Sequence, residues 1–237
     1  MRMSIATAAG LLLFAAAHAS AQSVADSPGA SDPQARAQSP RFHKSDVAPG
    51  VRAGLIFDID KLAAAKSFDA TIGTSRLMAR GFAVEGTGLW RGAFARIAMS
   101  SAGHDGSRVF VYNGTVFPLN IPFHVDMAPF EFGGGWRFGV PDAPVVLYAG
   151  ISLVRLHYQE TSSFAGPDEN VDAHFSGTAF FGGIDINAVD YLAISLEAQM
   201  RRIPNAIGAG GVSVDFKEAN LGGLTIRILI GFRFTKK

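Results

Sequence analysis

The chain has 237 residues and a formal net charge of +1, and 17% of its residues are charged, few for a soluble protein. The near-neutral balance, with no basic cluster, leaves no electrostatic footprint for nucleic acid. The absence of cysteine excludes structural disulfides, zinc thiolate sites and a lipid-modified N-terminal cysteine, so an exported form of this chain needs another source of stability.

Residues 1–21 read as a secretory signal peptide. Arg2 supplies a short basic region, Ile5 to Ala17 an apolar stretch, and Ala17-His18-Ala19 and Ala19-Ser20-Ala21 two small-x-small cleavage sites. The apolar run is shorter than the roughly 20 residues that a membrane-spanning helix needs. Residues 22–50 are rich in Ser, Ala, Pro, Asp and Gln; they cannot bury a core and read as a flexible leader. From residue 51 to 237 the texture changes to alternating segments bounded by turn residues, the pattern of strands.

In chain order the first is VRAGLIFDID, which sets Val51, Ala53, Leu55, Phe57 and Ile59 against Arg52, Asp58 and Asp60. PFEFGGGWRF places Phe130, Phe132, Trp136 and Phe138 opposite Glu131 and Arg137. VDAHFSGTAFF sets Val171, Ala173, Phe175, Ala179 and Phe181 against Asp172, His174, Ser176 and Thr178. YLAISLEAQMRR alternates most clearly, with Leu192, Ile194, Leu196, Ala198 and Met200 opposite Ser195, Glu197, Gln199 and Arg201. The last, GLTIRILIGFRF, carries Leu224, Ile226, Ile228, Ile230, Phe232 and Phe234 on one face and Arg227 and Arg233 on the other.

A soluble barrel or sandwich also alternates, but its outer face carries many Lys, Glu and Asp. Here the polar faces carry Gly, Ser, Thr, Gln and a few opposite charges, which fits a cramped interior, so the apolar faces should point outward to lipid. Strands are expected at about 51–60, 80–90, 92–101, 123–138, 144–160, 171–187, 190–202 and 220–234. Connections then alternate long and short, and a periplasmic N-terminus puts every long one outside. Residues 66–76, around SFDATIGTS, and 108–119 (RVFVYNGTVFPL) each read either as external loop or as spanning strand. An even strand count favours loop for the first. Asn113-Gly114 favours a hairpin above the membrane for the second. Trp90, Trp136, Tyr191, Phe232 and Phe234 fall near the short-turn end, as an interfacial aromatic belt requires. The expected fold is all-β: an eight-stranded antiparallel up-and-down transmembrane β-barrel.

The signal peptide, the Gly- and aromatic-rich alternation, the closing LGGLTIRILIGFRF and the segment PVVLYAGISLVRLHYQETS resemble small outer-membrane β-barrel proteins of the OmpA/OmpX type, over residues 51–234. The resemblance implies a bacterial outer-membrane location, outer-membrane lipid and the barrel-insertion machinery as partners, and a monomer without cofactor. It departs at the C-terminus, where Thr235, Lys236 and Lys237 follow the aromatic Phe234. Lipid A deacylases share the eight-strand barrel and carry a His-x-Ser-Asn motif on a late strand. The comparable RRIPNA has Arg202 for the His and Pro204 for the Ser, so base and nucleophile are both missing.

A triad of His174, Ser176 and Glu197 competes with a hydrogen-bonded interior. The mixed signs of Glu85, Arg96, Glu131, Arg137, His174, Glu197, Arg201, Arg227 and Arg233 favour a structural polar network, since buried charges persist only when paired. FGGGWRF lacks the Lys-Ser/Thr partner and helix of a phosphate loop. Asp168, Glu169 and Asp172 lack the spacing of a metal loop and read as a solvated acidic loop. The expected role is structural or surface-interacting through external loops, without enzyme activity; the alternatives are a narrow pore for small solutes and, behind it, a lipid-acting membrane enzyme.

Overall fold

A computed structural model describes residues 50–235 apart from 91, 140–142, 163–169, 205–210 and 212–215. The signal peptide, most of the leader, and Asp168 and Glu169 lie outside the described residues. Eight strands follow one another: β1 (Gly50–Leu62), β2 (Arg76–Thr87), β3 (Ala93–Tyr112), β4 (Thr115–Phe138), β5 (Val145–Ser162), β6 (Val171–Val189), β7 (Leu192–Arg202) and β8 (Gly223–Thr235), with a short helix α1 (Ala65–Thr71) between β1 and β2. Each strand pairs antiparallel with its chain neighbour, and β8 returns to β1 to close the barrel. The seam runs from Gly50 opposite Thr235 to Leu62 opposite Gly223, so no edge strand is left unpaired.

Period two decides which side chains enter the barrel. Along β1, Arg52, Ile56, Asp58 and Asp60 are buried, while Val51, Leu55, Phe57 and Ile59 are exposed. On β7, Ala193, Ser195, Glu197, Gln199 and Arg201 are buried, and Ile194, Leu196 and Met200 are exposed. The same holds on β8, where Arg227 is 1% exposed between Ile226 and Ile228 at 38% and 42%. The outward residues form an apolar belt around all eight strands, bounded at the short-turn end by Trp90, Trp136, Tyr191 and Phe234. Trp90 and Trp136 meet edge to face there, 5.4 Å apart. The belt-spanning segments run from these aromatics to Ile59, Phe82, Met99, Phe130, Leu153, Phe180, Met200 and Leu224.

Beyond the belt the polarity of the wall reverses. Leu62, Ile72, Leu77, Phe123, Val125, Met127, Leu156, Tyr158, Phe175 and Leu221 pack inward around Phe68 of α1, which is fully buried. Phe68 lies edge-on to Tyr158 at 6.5 Å. Burial of such a ring contributes roughly 1.5–3 kcal/mol. The outer face at this level is polar and carries Asp126, His157, Gln159, Asp172, His174 and Ser176. The long-loop end is therefore built like a small soluble barrel, apolar within and wet without.

Two segments clarify the expected topology. Residues 66–76 do not span: α1 occupies Ala65–Thr71 and caps the barrel mouth. A side chain at Gly106 of β3 would collide with the Thr71 carbonyl, so glycine there lets the helix seat against the wall. Residues 102–122, expected to be a long connection carrying a separate hairpin, are instead the continuation of β3 and β4. Asn113 and Gly114 both take positive φ, 51° and 79°, as a two-residue type I′ turn requires.

Candidate functional site

The belt-level interior is filled by two ionic clusters. Toward the short turns, Arg52 donates to Asp185 at 2.9 Å and approaches Glu85 at 3.5 Å. Arg137 bonds the same two carboxylates, Asp185 at 2.8 Å and Glu85 closely. Ser195 adds a hydroxyl to Asp185 at 2.5 Å. Arg233, on the inward register beside Arg52, donates to Asn187.

The second cluster lies at mid-barrel. Arg96 makes a two-pronged contact with Glu197, 2.6 and 3.1 Å. Arg227 forks onto Asp58 at 2.7 and 2.8 Å and onto Glu131 at 2.9 and 3.2 Å. Arg201 reaches Glu131 at 2.7 Å, Asp60 at 2.9 Å and Asp58 at 3.2 Å. Gln199 and Thr225 fill remaining acceptor positions on Glu197 and Asp60. Between the clusters, Phe94, Tyr148 and Phe181 pack together. The Arg96 guanidinium lies 4.2 Å from the Phe181 ring centre and that of Arg137 4.5 Å from Phe94.

Among the described residues of these two clusters, six arginines (52, 96, 137, 201, 227, 233) stand with six carboxylates (58, 60, 85, 131, 185, 197), so the clusters carry no formal excess of either sign; Glu160, also buried, lies beyond them and accepts from the Tyr158 hydroxyl. Such matching is what makes charge tolerable out of water. Each guanidinium spans strands distant in sequence, as from Arg52 to Asp185 or Arg227 to Glu131, and so braces the barrel across its width.

Eight of the nine residues expected in the polar network lie inside: Glu85, Arg96, Glu131, Arg137, Glu197, Arg201, Arg227 and Arg233. His174 does not. It is exposed on the outer face of β6, and the apolar residues expected to face lipid on that stretch, Val171, Phe175, Ala179 and Phe181, point inward. The upper half of β6, with Val171, Phe175 and Ala179, lies beyond the belt, where the inside is apolar, while Phe181 packs inside the belt under Arg96. His174 and Glu197 thus occupy opposite faces of the wall and cannot form a catalytic pair. Arg52, Asp58, Asp60 and Asp185 complete the network without having been assigned to it. Arg52, Asp58 and Asp185 each have the sequence signal of a polar residue flanked by apolar ones, as in Ile184-Asp185-Ile186, while Asp60 lies between Ile59 and Lys61. Gly133, Gly134 and Gly135 of FGGGWRF are paired within the sheet to both β3 and β5 and form no phosphate loop.

Outside the belt, β3 and β4 continue alone. Beyond the pairing of Gly106 with Phe123 the hairpin has no strand beside it on the β2 side, and β5 ends opposite Phe123. It rises for about six residues, roughly 20 Å at the strand repeat. Its tip exposes Phe110, Tyr112, Val116, Phe117 and Leu119. Phe110 stands directly opposite Phe117 and stacks on Tyr112 at 6.4 Å. Pro118 and Pro122 remove backbone donors from its free edge.

Neither a protein-family model nor a curated protein matches the chain in sequence. Among solved structures it is similar to Ail, the attachment invasion locus protein of Yersinia pestis in complex with the heparin analogue sucrose octasulfate. That match has 13% identity and a TM-score of 0.45, and covers 78% of this chain and 97% of that one. The N-terminal β-barrel domain of Pseudomonas aeruginosa OprF gives 8% identity and 0.43, over 78% and 97%. A major outer membrane protein from Thermus thermophilus gives 10% and 0.47, over 78% and 99%. The chain itself is a closed eight-stranded antiparallel barrel.

Proposed function

We propose that this chain is a non-enzymatic bacterial outer-membrane protein whose barrel anchors a surface-interaction hairpin. The observation that carries the reading is the β3–β4 extension: a two-stranded arm that projects past the apolar belt with exposed aromatics at its tip. Free apolar surface of this kind on a polar rim marks a contact site. The apolar belt supplies the lipid contact, and the short-turn end with its aromatic girdle faces the periplasm in this reading. The interior filled by ionic clusters argues against a conduit, since eight strands leave room only for side chains or one small ligand.

The experiment compares the intact chain with a variant in which residues 109–118 are replaced by a short Gly-Asn-Gly turn. Both should reach the outer membrane and show the gel-mobility change on heating that a closed barrel gives. Only the intact chain should confer binding of whole cells to surfaces or host cells. Equal binding by both forms would overturn the hairpin's role. Stepwise single-channel conductance of the refolded protein in a planar bilayer would favour the narrow pore instead.

A further inference from the structure

We infer that the outer face of β5 and β6, beyond the apolar belt, is a binding site for one divalent transition cation of the zinc class, held by His157, His174 and Asp172. The site does not depend on the role proposed for the hairpin. Each of the three residues offers one ligand atom, and these atoms lie within 4.8 Å of one another.

The sheet places them. His157 and His174 are directly opposed on neighbouring antiparallel strands, so their side chains leave the same face side by side. Their ring centres are 4.5 Å apart, with the planes inclined at 47°. Asp172 precedes His174 by two positions and shares its face, diagonal to His157. Its Oδ1 lies 2.8 Å from His157 Nε2. Gln159, opposite Asp172 in the ladder, donates Nε2–H to Oδ2 at 2.9 Å. That bond orients the carboxylate and leaves Oδ1 turned toward the imidazoles, the outer-shell support that metal-ligating groups use.

The chemistry selects the cation. Two neutral imidazoles and one carboxylate suit zinc, copper or nickel, whereas calcium and magnesium take oxygen ligands. Zinc bonds nitrogen and carboxylate oxygen at about 2.0–2.2 Å, reached here by side-chain rotation on a fixed backbone. Three protein ligands leave a position for water on the solvent side, where Asp172 is 65% exposed. A surface ion pair would account for Asp172 and one imidazole; the second imidazole, held against the first, makes the set a chelate.

The neighbouring trio on β3 and β4 differs in this respect. His124 has both ring nitrogens engaged, Nδ1 with Asp105 at 2.6 Å and Nε2 with Asp126 at 3.1 Å. It offers one imidazole and no free nitrogen, and it serves as the internal control.

The test titrates zinc chloride into the full-length mature barrel, refolded in detergent and stripped with a chelator, by calorimetry. One zinc ion per chain is expected. His157→Ala and His174→Ala should each abolish that binding. Gln159→Leu should keep the stoichiometry and weaken affinity about 10-fold. His124→Ala should leave it unchanged. Cobalt bound in place of zinc should give visible d–d absorption in the parent and not in His174→Ala. Heat-shifted gel mobility verifies that each variant is a closed barrel, with His174→Gln read in place of any alanine variant that fails. Absence of binding in the parent, binding that survives both histidine changes, or equal loss in His124→Ala would overturn the site.

Discussion

Arg227 is among the largest side chains sealed inside the barrel, and it faces Asp58, Glu131 and, at 3.8 Å, Glu197. Replacing it with methionine keeps volume but leaves these carboxylates with a shortfall of positive charge. Removal of one partner from a buried pair costs about 3–5 kcal/mol. Arg227→Met should therefore lower unfolding free energy by that order in urea titrations of the refolded protein. Glu197→Gln should cost less and leave assembly intact, because Arg96 keeps a neutral acceptor. An equal or larger loss in Glu197→Gln would show that Arg96, not Arg227, is the main brace. Outside the belt, the hydrogen bond that the His124 ring donates to Asp105 raises the pKa of His124 above its ordinary 6.5. A raised value means the contact stabilises the fold fully below the unfolded pKa and loses that contribution as pH rises through the folded one. NMR titration of the His124 ring should therefore give a lower value in Asp105→Asn than in the parent. At this scale period two made Glu85, Glu131, Arg201 and Arg227 legible as interior groups. The same alternation misplaces His174, because one polarity rule was extended along a strand whose inner and outer polarity reverse partway.

At the scale of elements, α1 shows what sequence alone withholds. Residues 66–76 carry a strand-like pattern, yet Ala65–Thr71 is helical. Ala64 at the helix start has no side-chain oxygen to offer the first amides. Glu218, from the connection between β7 and β8, supplies them: it accepts from the Lys66 and Ser67 amides at 3.2 and 2.8 Å and from the Ser67 hydroxyl at 2.7 Å. The cap is 151 residues away from Ser67, so no local signal announces it. Glu218→Ala should cost about 0.5–2 kcal/mol of helix stability, the worth of a cap. Amide exchange should accelerate over 65–71 while the ladders of β1 to β8 stay protected. Unchanged exchange in the helix would assign its stability to Phe68 burial alone. The hairpin turn is the opposite case, since Asn113-Gly114 dictates its type locally. Its legs were harder to read: polar residues between Ser101 and Asp126 look like loop until the partner strand is known.

For the whole molecule, the belt sets the limits of substitution. Leu196 is 47% exposed near the middle of β7, and in the membrane location proposed above a charge there would enter hydrocarbon. Leu196→Arg should cost about 2–4 kcal/mol when measured by unfolding from lipid vesicles, falling toward zero for the same change at the rims. A negligible cost at both positions would place that face in water. The fold class, strand count and aromatic girdle were legible because an apolar outer face and paired charge inside impose one pattern on every strand. The reversal beyond the belt was not, since it depends on which residues α1 covers. The seam carries a further consequence, for the time before the protein is finished. Gly50 and Thr235 are partners although nearly the whole described chain lies between them. Synthesis delivers β8 last, and until then β1 has only one neighbour. Long-range closure of this kind is slow. A chain stalled or cut before Gly223 would hold two open rows of amides and carbonyls and an apolar belt with nothing to dissolve it. The seam therefore cannot close until β8 has been made, and no shorter chain has a partner for the free edge of β1.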